Sequence, residues 1–116
     1  MGKAKVPLRT VMNIPEREAV SLVMPAYLST EDSLSLKLIS LFNKNPKKGL
    51  PLAFSIVILA DGRTGAPLSI IEGGTLTALR TGAASGVATL YLARENSRTV
   101  AIFGAGVQGR TQLEAV

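Results

Sequence analysis

The segment 99-TVAIFGAGVQG-109 decides how this chain is read. Its apolar part, 100-VAIFG-104, predicts a β-strand, and Gly104-Ala-Gly106-Val-Gln-Gly109 follows with the G-x-G-x-x-G spacing that leads a strand into a helix. The spacing has a steric and electrostatic logic. The first glycine permits a tight turn, the second lets the backbone approach a pyrophosphate, and the third lets the following helix pack on its strand. The helix expected from Arg110 to Val116 would meet that anion with free backbone amides and the positive end of its dipole. Two readings stand on this loop alone: a dinucleotide site, or a glycine-rich turn between strand and helix with no ligand.

The acidic residue that would hold the ribose hydroxyls is expected about 20 residues past the loop, beyond Val116. A whole strand-helix-strand unit takes about 30 residues, and a helix of two turns is below the roughly 12 to 15 residues at which isolated helices become marginal. The chain therefore reads as a fragment of a longer enzyme, cut through the first helix of its cofactor domain. The expected division is residues 1–98, most of a first domain, and 99–116, the start of a Rossmann domain.

Composition narrows the classes further. With 47% hydrophobic residues in 116, the chain can build a core, so disorder is not expected. A net charge of +5 invites a nucleic-acid reading. The basic residues are scattered, however, apart from Lys3/Lys5 and the loop residues Lys44, Lys47 and Lys48, and no aromatic residues interleave with them to stack bases. No nucleic-acid partner is expected. The absence of Cys and His removes disulfides and a zinc site, so no metal is expected and a reducing, cytoplasmic setting is the default. The longest nearly apolar run, Gly49 to Ala60, is shorter than the roughly 20 residues of a bilayer span, so no membrane association is expected. Met1-Gly2 opens like a myristoylation signal, but Val6 stands where that pattern needs Ser or Thr.

Ahead of the glycine loop, 19-AVSLVMPAYL-28 predicts one strand ending at Pro25. The alternation in 33-SLSLKLISLF-42 predicts a second, and 51-PLAFSIVILA-60, apolar on both faces, a central third. The turn 61-DGRTGAP-67 joins it to 67-PLSIIE-72 as a hairpin. A helix is expected from Thr75, its N-cap, to Arg94, with Leu76, Leu79, Ala83, Val87 and Leu90 at three- and four-residue spacing. Within it, 81-TGAASG-86 holds two glycines, each costing about 1 kcal/mol against Ala. That cost calls for the close approach of a ligand or another backbone, with packing on a sheet the plainer version.

Charges stand at unusual places. Lys37 interrupts an uncharged strand and Arg80 precedes the small-residue run; each fits either a solvent-directed side chain or, with Arg9, a group of cations holding a carboxylate. Glu72 fits a turn role equally well.

Taken together, 24-MPAYL-28, 36-LKLISLFNKNPKKGLP-51, 76-LTALRTGAASGVATLYLAR-94 and 100-VAIFGAGVQG-109 resemble the ornithine cyclodeaminase and mu-crystallin family, which includes archaeal alanine dehydrogenase. The resemblance implies an α/β chain: an open mixed sheet forming a substrate and dimerisation domain, followed by the first strand and glycine loop of a Rossmann domain that binds NAD or NADP. It implies a homodimer acting on a small amino acid or cyclic imine. By position, Arg9 resembles the family's substrate-carboxylate arginine, Lys37 its active-site lysine, and Arg80 the arginine that meets substrate and cofactor phosphate. Gly104, Gly106, Val107, Gln108 and Gly109 fall where the loop meets the dinucleotide.

In such enzymes a hydride leaves the amino-acid α-carbon for the nicotinamide, giving an imine. Cyclodeaminases close the side-chain amine on it, lose ammonia and return the hydride, so that ornithine becomes proline; relatives release the oxo acid or reduce cyclic ketimines. The chain departs from the family pattern in three respects. The acid/base aspartate lies beyond Val116, so the fragment is expected to be inactive alone; Leu22 replaces a Glu that ornithine users tend to carry; and Leu52 replaces a hydroxyl residue near the cofactor. The alternative reading is a non-catalytic dimeric binding or structural module of the mu-crystallin type.

Overall fold

Period-two sequence becomes an antiparallel sheet in the computed structural model, which describes residues 4–116; Met1-Gly2 and Lys3 lie outside the described residues. The strands are β1 (Ala4–Lys5), β2 (Thr10–Ile14), β3 (Ala19–Leu28), β4 (Ser33–Phe42), β5 (Ala53–Asp61) and β6 (Pro67–Glu72), followed by helices α1 (Gly73–Leu92) and α2 (Val107–Ala115). The order is β1-β3-β4-β5-β6, with β2 also on β3. Every pairing is antiparallel, so the open sheet expected to be mixed is antiparallel throughout the described residues. Short connections between consecutive strands favour this: hairpins need only a few residues, whereas a parallel pair needs a long crossover.

The chain divides into two compact units, Met1–Gly74 and Thr75–Val116. In the first, register assigns the two faces of the sheet. Met24, Lys37 and Val57 stand opposite one another across β3, β4 and β5, as do Ser21, Ser40 and Phe54 on the other face. The alternation in β4 therefore slips at Ile39-Ser40, which moves the polar residue to the opposite face. Ser40 is accommodated because its cross-strand partner is Ser21, 6% exposed, and the two hydroxyls lie 3.0 Å apart. That second face also carries Leu34, Leu38, Phe54, Ile56 and Ile70, all exposed, with Ile70 at 72%.

Strand β3 does not stop at Pro25 but continues to Leu28. The reason lies on its outer side. There β2 pairs with Ala19 to Val23 and β1 with Tyr27 and Leu28, which leaves residues 24–26 unpaired on that edge. A residue without an N–H is tolerated at such a gap.

In α1 the helix begins at Gly73, two residues before the expected cap Thr75. Helix follows strand with no loop between, and the Glu72 carboxylate accepts the Gly74 N–H at 2.6 Å, so Glu72 supplies the cap. In the second unit, Cβ atoms on Gly82 and Gly86 would lie 2.5 and 2.6 Å from the carbonyl oxygens of Thr111 and Ala115. The small-residue run is thus explained by the backbone of α2, a helix rather than a sheet. The strand expected at 100-VAIFG-104 carries no ladder pairing. Extended backbone becomes a strand only beside a partner, and none of the described residues supplies one.

Candidate functional site

Of the three marked cations, Lys37 lies within the sheet and Arg9 immediately before β2. Lys37 is half-buried at the middle of β4, flanked by Met24 of β3 and Val57 of β5, with Leu22, Ser35, Ile39, Ser55 and Leu59 on the same face. Arg9 ends the connection from β1 and directly precedes Thr10, the first residue of β2, which pairs with Val23. An Arg and a Lys offer different grips on a small anionic molecule, the Arg a planar two-point grip and the Lys a movable charge.

Arg80 belongs to the second unit, where it is exposed on α1. Beside it, the Thr81 hydroxyl is buried with no hydrogen-bond partner.

The glycine loop has three different physical reasons for its three glycines. Gly104 has φ 98°, a conformation that L side chains rarely adopt. Gly106 is extended and caps α2, its carbonyl accepting the Arg110 N–H at 3.1 Å, and a Cβ there would meet nothing within 4 Å. At Gly109 a Cβ would collide with the carbonyl oxygen of Gly104. Turn, open approach and tight packing are the roles that a dinucleotide loop requires of these positions. Helix α2 starts at Val107, three residues earlier than expected, so that Val107, Gln108 and Gly109 form its first turn and their amides face outward from the cap. The residues present fit a pyrophosphate.

A cavity of about 390 Å³ beside this loop is lined by Ile102, Gly104, Ala105, Gly109, Arg110 and Leu113. A larger one, about 620 Å³, is lined by residues that include Arg94, Arg98, Thr89 and Thr99. No sequence motif joins these four; Arg94 and Arg98, just past the end of α1, are the basic residues among them.

A cluster of charged and polar groups stands where the β3–β4 turn meets the β5–β6 hairpin. Arg63 Nε donates to Asp32 Oδ2 at 2.7 Å, and the Tyr27 hydroxyl donates to Asp32 Oδ1 at 3.2 Å. The Arg63 hydrogen bond holds the Asp32 carboxyl below its ordinary value, and the Thr64 hydroxyl, with the Thr64 and Arg63 amides, does the same for Asp61. Burial, then the hydrogen bond to Asp32, pushes the Tyr27 phenol up. Depressed carboxyls contribute stability above the unfolded value, and that contribution is lost as pH falls through the folded one. The corner is therefore expected to be intact above about pH 4 and to loosen below it. The Gly62 amide resonance should report this by two-dimensional NMR, and Asp32→Asn should flatten its acid transition.

Comparison with known proteins follows the same residues. The family model described as the ornithine cyclodeaminase/mu-crystallin family matches residues 1–116. A Delta(1)-pyrroline-2-carboxylate reductase of Bacillus cereus is 41% identical over 110 residues, 95% of this chain and 34% of that protein. The structure of Thermococcus litoralis Delta(1)-pyrroline-2-carboxylate reductase in complex with NADH and L-proline is similar at 53% identity and a TM-score of 0.89, over 97% of this chain and 35% of that one. An archaeal alanine dehydrogenase dimer with bound NAD is similar at 39% identity and a TM-score of 0.88, over 97% of this chain and 34% of that one. The chain spans about a third of the length of these relatives.

Proposed function

Because this chain belongs to the ornithine cyclodeaminase/mu-crystallin family, we propose that it forms the substrate-binding part, with the opening of the nucleotide-binding part, of an NAD(P)-dependent oxidoreductase. The reaction interconverts an α-amino acid and its imine, with a cyclic imine carboxylate of the pyrroline-2-carboxylate type as the preferred substrate. The observation that carries this reading is the 53% identity to a reductase that holds NADH and L-proline.

In this reading residues 1–98 serve the substrate and residues 99–116 open the Rossmann domain. Arg9 binds the substrate carboxylate, and Arg80 meets the cofactor phosphate. Lys37 lies against the substrate, where its ammonium balances charge at the imine and its half-buried position limits solvent access. Gly104, Gly106, Val107, Gln108 and Gly109 receive the dinucleotide. The nicotinamide, when bound, supplies the hydride. An uncharged row around Lys37, with Leu22, Met24, Ile39 and Val57 on its face, suits the ring of a cyclic imine.

The exposed apolar face of the sheet, with Leu34, Leu38, Phe54 and Ile56, is the proposed surface of a homodimer. A stable interface needs about 800 Å² from each partner, and the face offers large side chains to supply it.

The test is a chimera in which this chain replaces the matching third of the T. litoralis reductase. NADH consumption with Δ1-pyrroline-2-carboxylate is the expected outcome. A chimera that folds, dimerises and binds NADH without turnover would leave only the non-catalytic module.

A further inference from the structure

The hairpin loop after β5 contains Asp61-Gly62, and the structure dictates why position 62 is glycine. A Cβ there would stand 2.5 Å from the backbone carbon and oxygen of Asp32 and 2.8 Å from the Tyr27 ring. Only a bare backbone can enter this corner, and once there the Gly62 N–H donates to the Asp32 carbonyl at 2.6 Å.

Close packing of this kind creates a chemical liability. An Asp followed by Gly is the pairing in which the next amide nitrogen most readily reaches the side-chain carboxyl, since glycine offers no side chain to obstruct it. The Gly62 nitrogen would bond to Cγ of Asp61, and the amide proton and the carboxyl hydroxyl would leave as water. The resulting succinimide then takes up one water at either carbonyl, giving aspartate or isoaspartate with no net change in mass.

We propose that Asp61-Gly62 is a latent isoaspartate-forming site, held dormant by its contact with Asp32 and released when that corner opens. Both reacting groups are engaged. The nucleophile is tied to the Asp32 carbonyl. The electrophile is tied in the other direction, with Asp61 Oδ1 accepting the Arg63 amide at 2.9 Å, the Thr64 amide at 2.8 Å and the Thr64 hydroxyl at 2.9 Å. Three donors thus hold Oδ1 in place. The Arg63–Asp32 ion pair closes the corner from outside. Formation of isoaspartate inserts a methylene into the backbone at the tightest point of the hairpin, so the modified chain could not close the corner again.

The experiment is to age the full chain at pH 7.4 and 37 °C beside a free peptide of residues 57–68. Isoaspartate is read by isoaspartyl methyltransferase labelling and by peptide mapping, where the product shifts in retention but not in mass. Local opening limits the reaction in the chain, so a rate at least about tenfold below the peptide's is expected. Arg63→Ala and Asp32→Asn should each bring the rate several-fold towards that of the peptide, and urea-unfolded wild type should match the peptide. A folded wild-type chain that isomerises as fast as the peptide overturns the proposal, as do rates unchanged in both variants. If one variant fails to fold, the other and the wild-type comparison still decide it.

Discussion

Lys37→Ala, made in the chimera with the T. litoralis reductase, is expected to lower turnover of Δ1-pyrroline-2-carboxylate by about 10²- to 10⁴-fold, the range for removing a charge that acts on protons or developing charge at the reacting centre. A lysine in the middle of a central strand is poorly placed unless its ammonium has work there, because flanking strands on both sides restrict where the side chain can go. Here Lys37 has β3 on one side and β5 on the other, and is half-buried. Lys37→Met retains the apolar stem without the charge. Both variants should keep the wild-type melting temperature within a few degrees and bind NADH normally while losing turnover. Turnover within twofold of wild type would remove Lys37 from the chemistry, whatever becomes of the proposed substrate.

Particular residues explain what was legible beforehand and what was not. The β4 strand was readable because ten residues of near-alternation leave few other conformations, and its observed bounds coincide with the expected ones. Pro25 misled because its effect depends on a neighbour: the gap between β1 and β2 is a property of pairing, which no local pattern encodes. For the same reason 100-VAIFG-104 has strand chemistry and no strand partner. The start of α1 shifted because Glu72 caps from the end of a strand, where the expected signal was a hydroxyl residue further along. Among the marked cations, Lys37 stands out by its place in an apolar strand, whereas Arg9 has no distinguishing local pattern and gains weight mainly from the family resemblance. The Asp32–Arg63 pair joins residues 31 positions apart and left no sequence signal.

The glycine loop permits a sharper test, because two of its glycines are expected to fail in different ways. At Gly109 an added Cβ collides with the Gly104 carbonyl, a backbone atom that cannot swing aside. Gly109→Ala should therefore destabilise the second unit by about 1 to 3 kcal/mol, the usual cost of overpacking, with or without cofactor. At Gly106 the space around a Cβ is empty, so Gly106→Ala should leave the free protein unchanged. Its effect should surface only on binding, where a methyl group occupies the volume through which a pyrophosphate must approach the α2 amides. A loss of tenfold or more in NADH affinity, about 1.4 kcal/mol, is the expected result in the chimera, read by fluorescence titration beside thermal melts. The crossed pattern discriminates between the two readings of the loop. A loop that merely turns the chain requires glycine at 104 and 109 and is indifferent at 106, so wild-type NADH affinity in Gly106→Ala would reduce it to a structural turn. Sensitivity at 106 without loss of stability has no structural origin in this chain and requires a ligand in the empty volume.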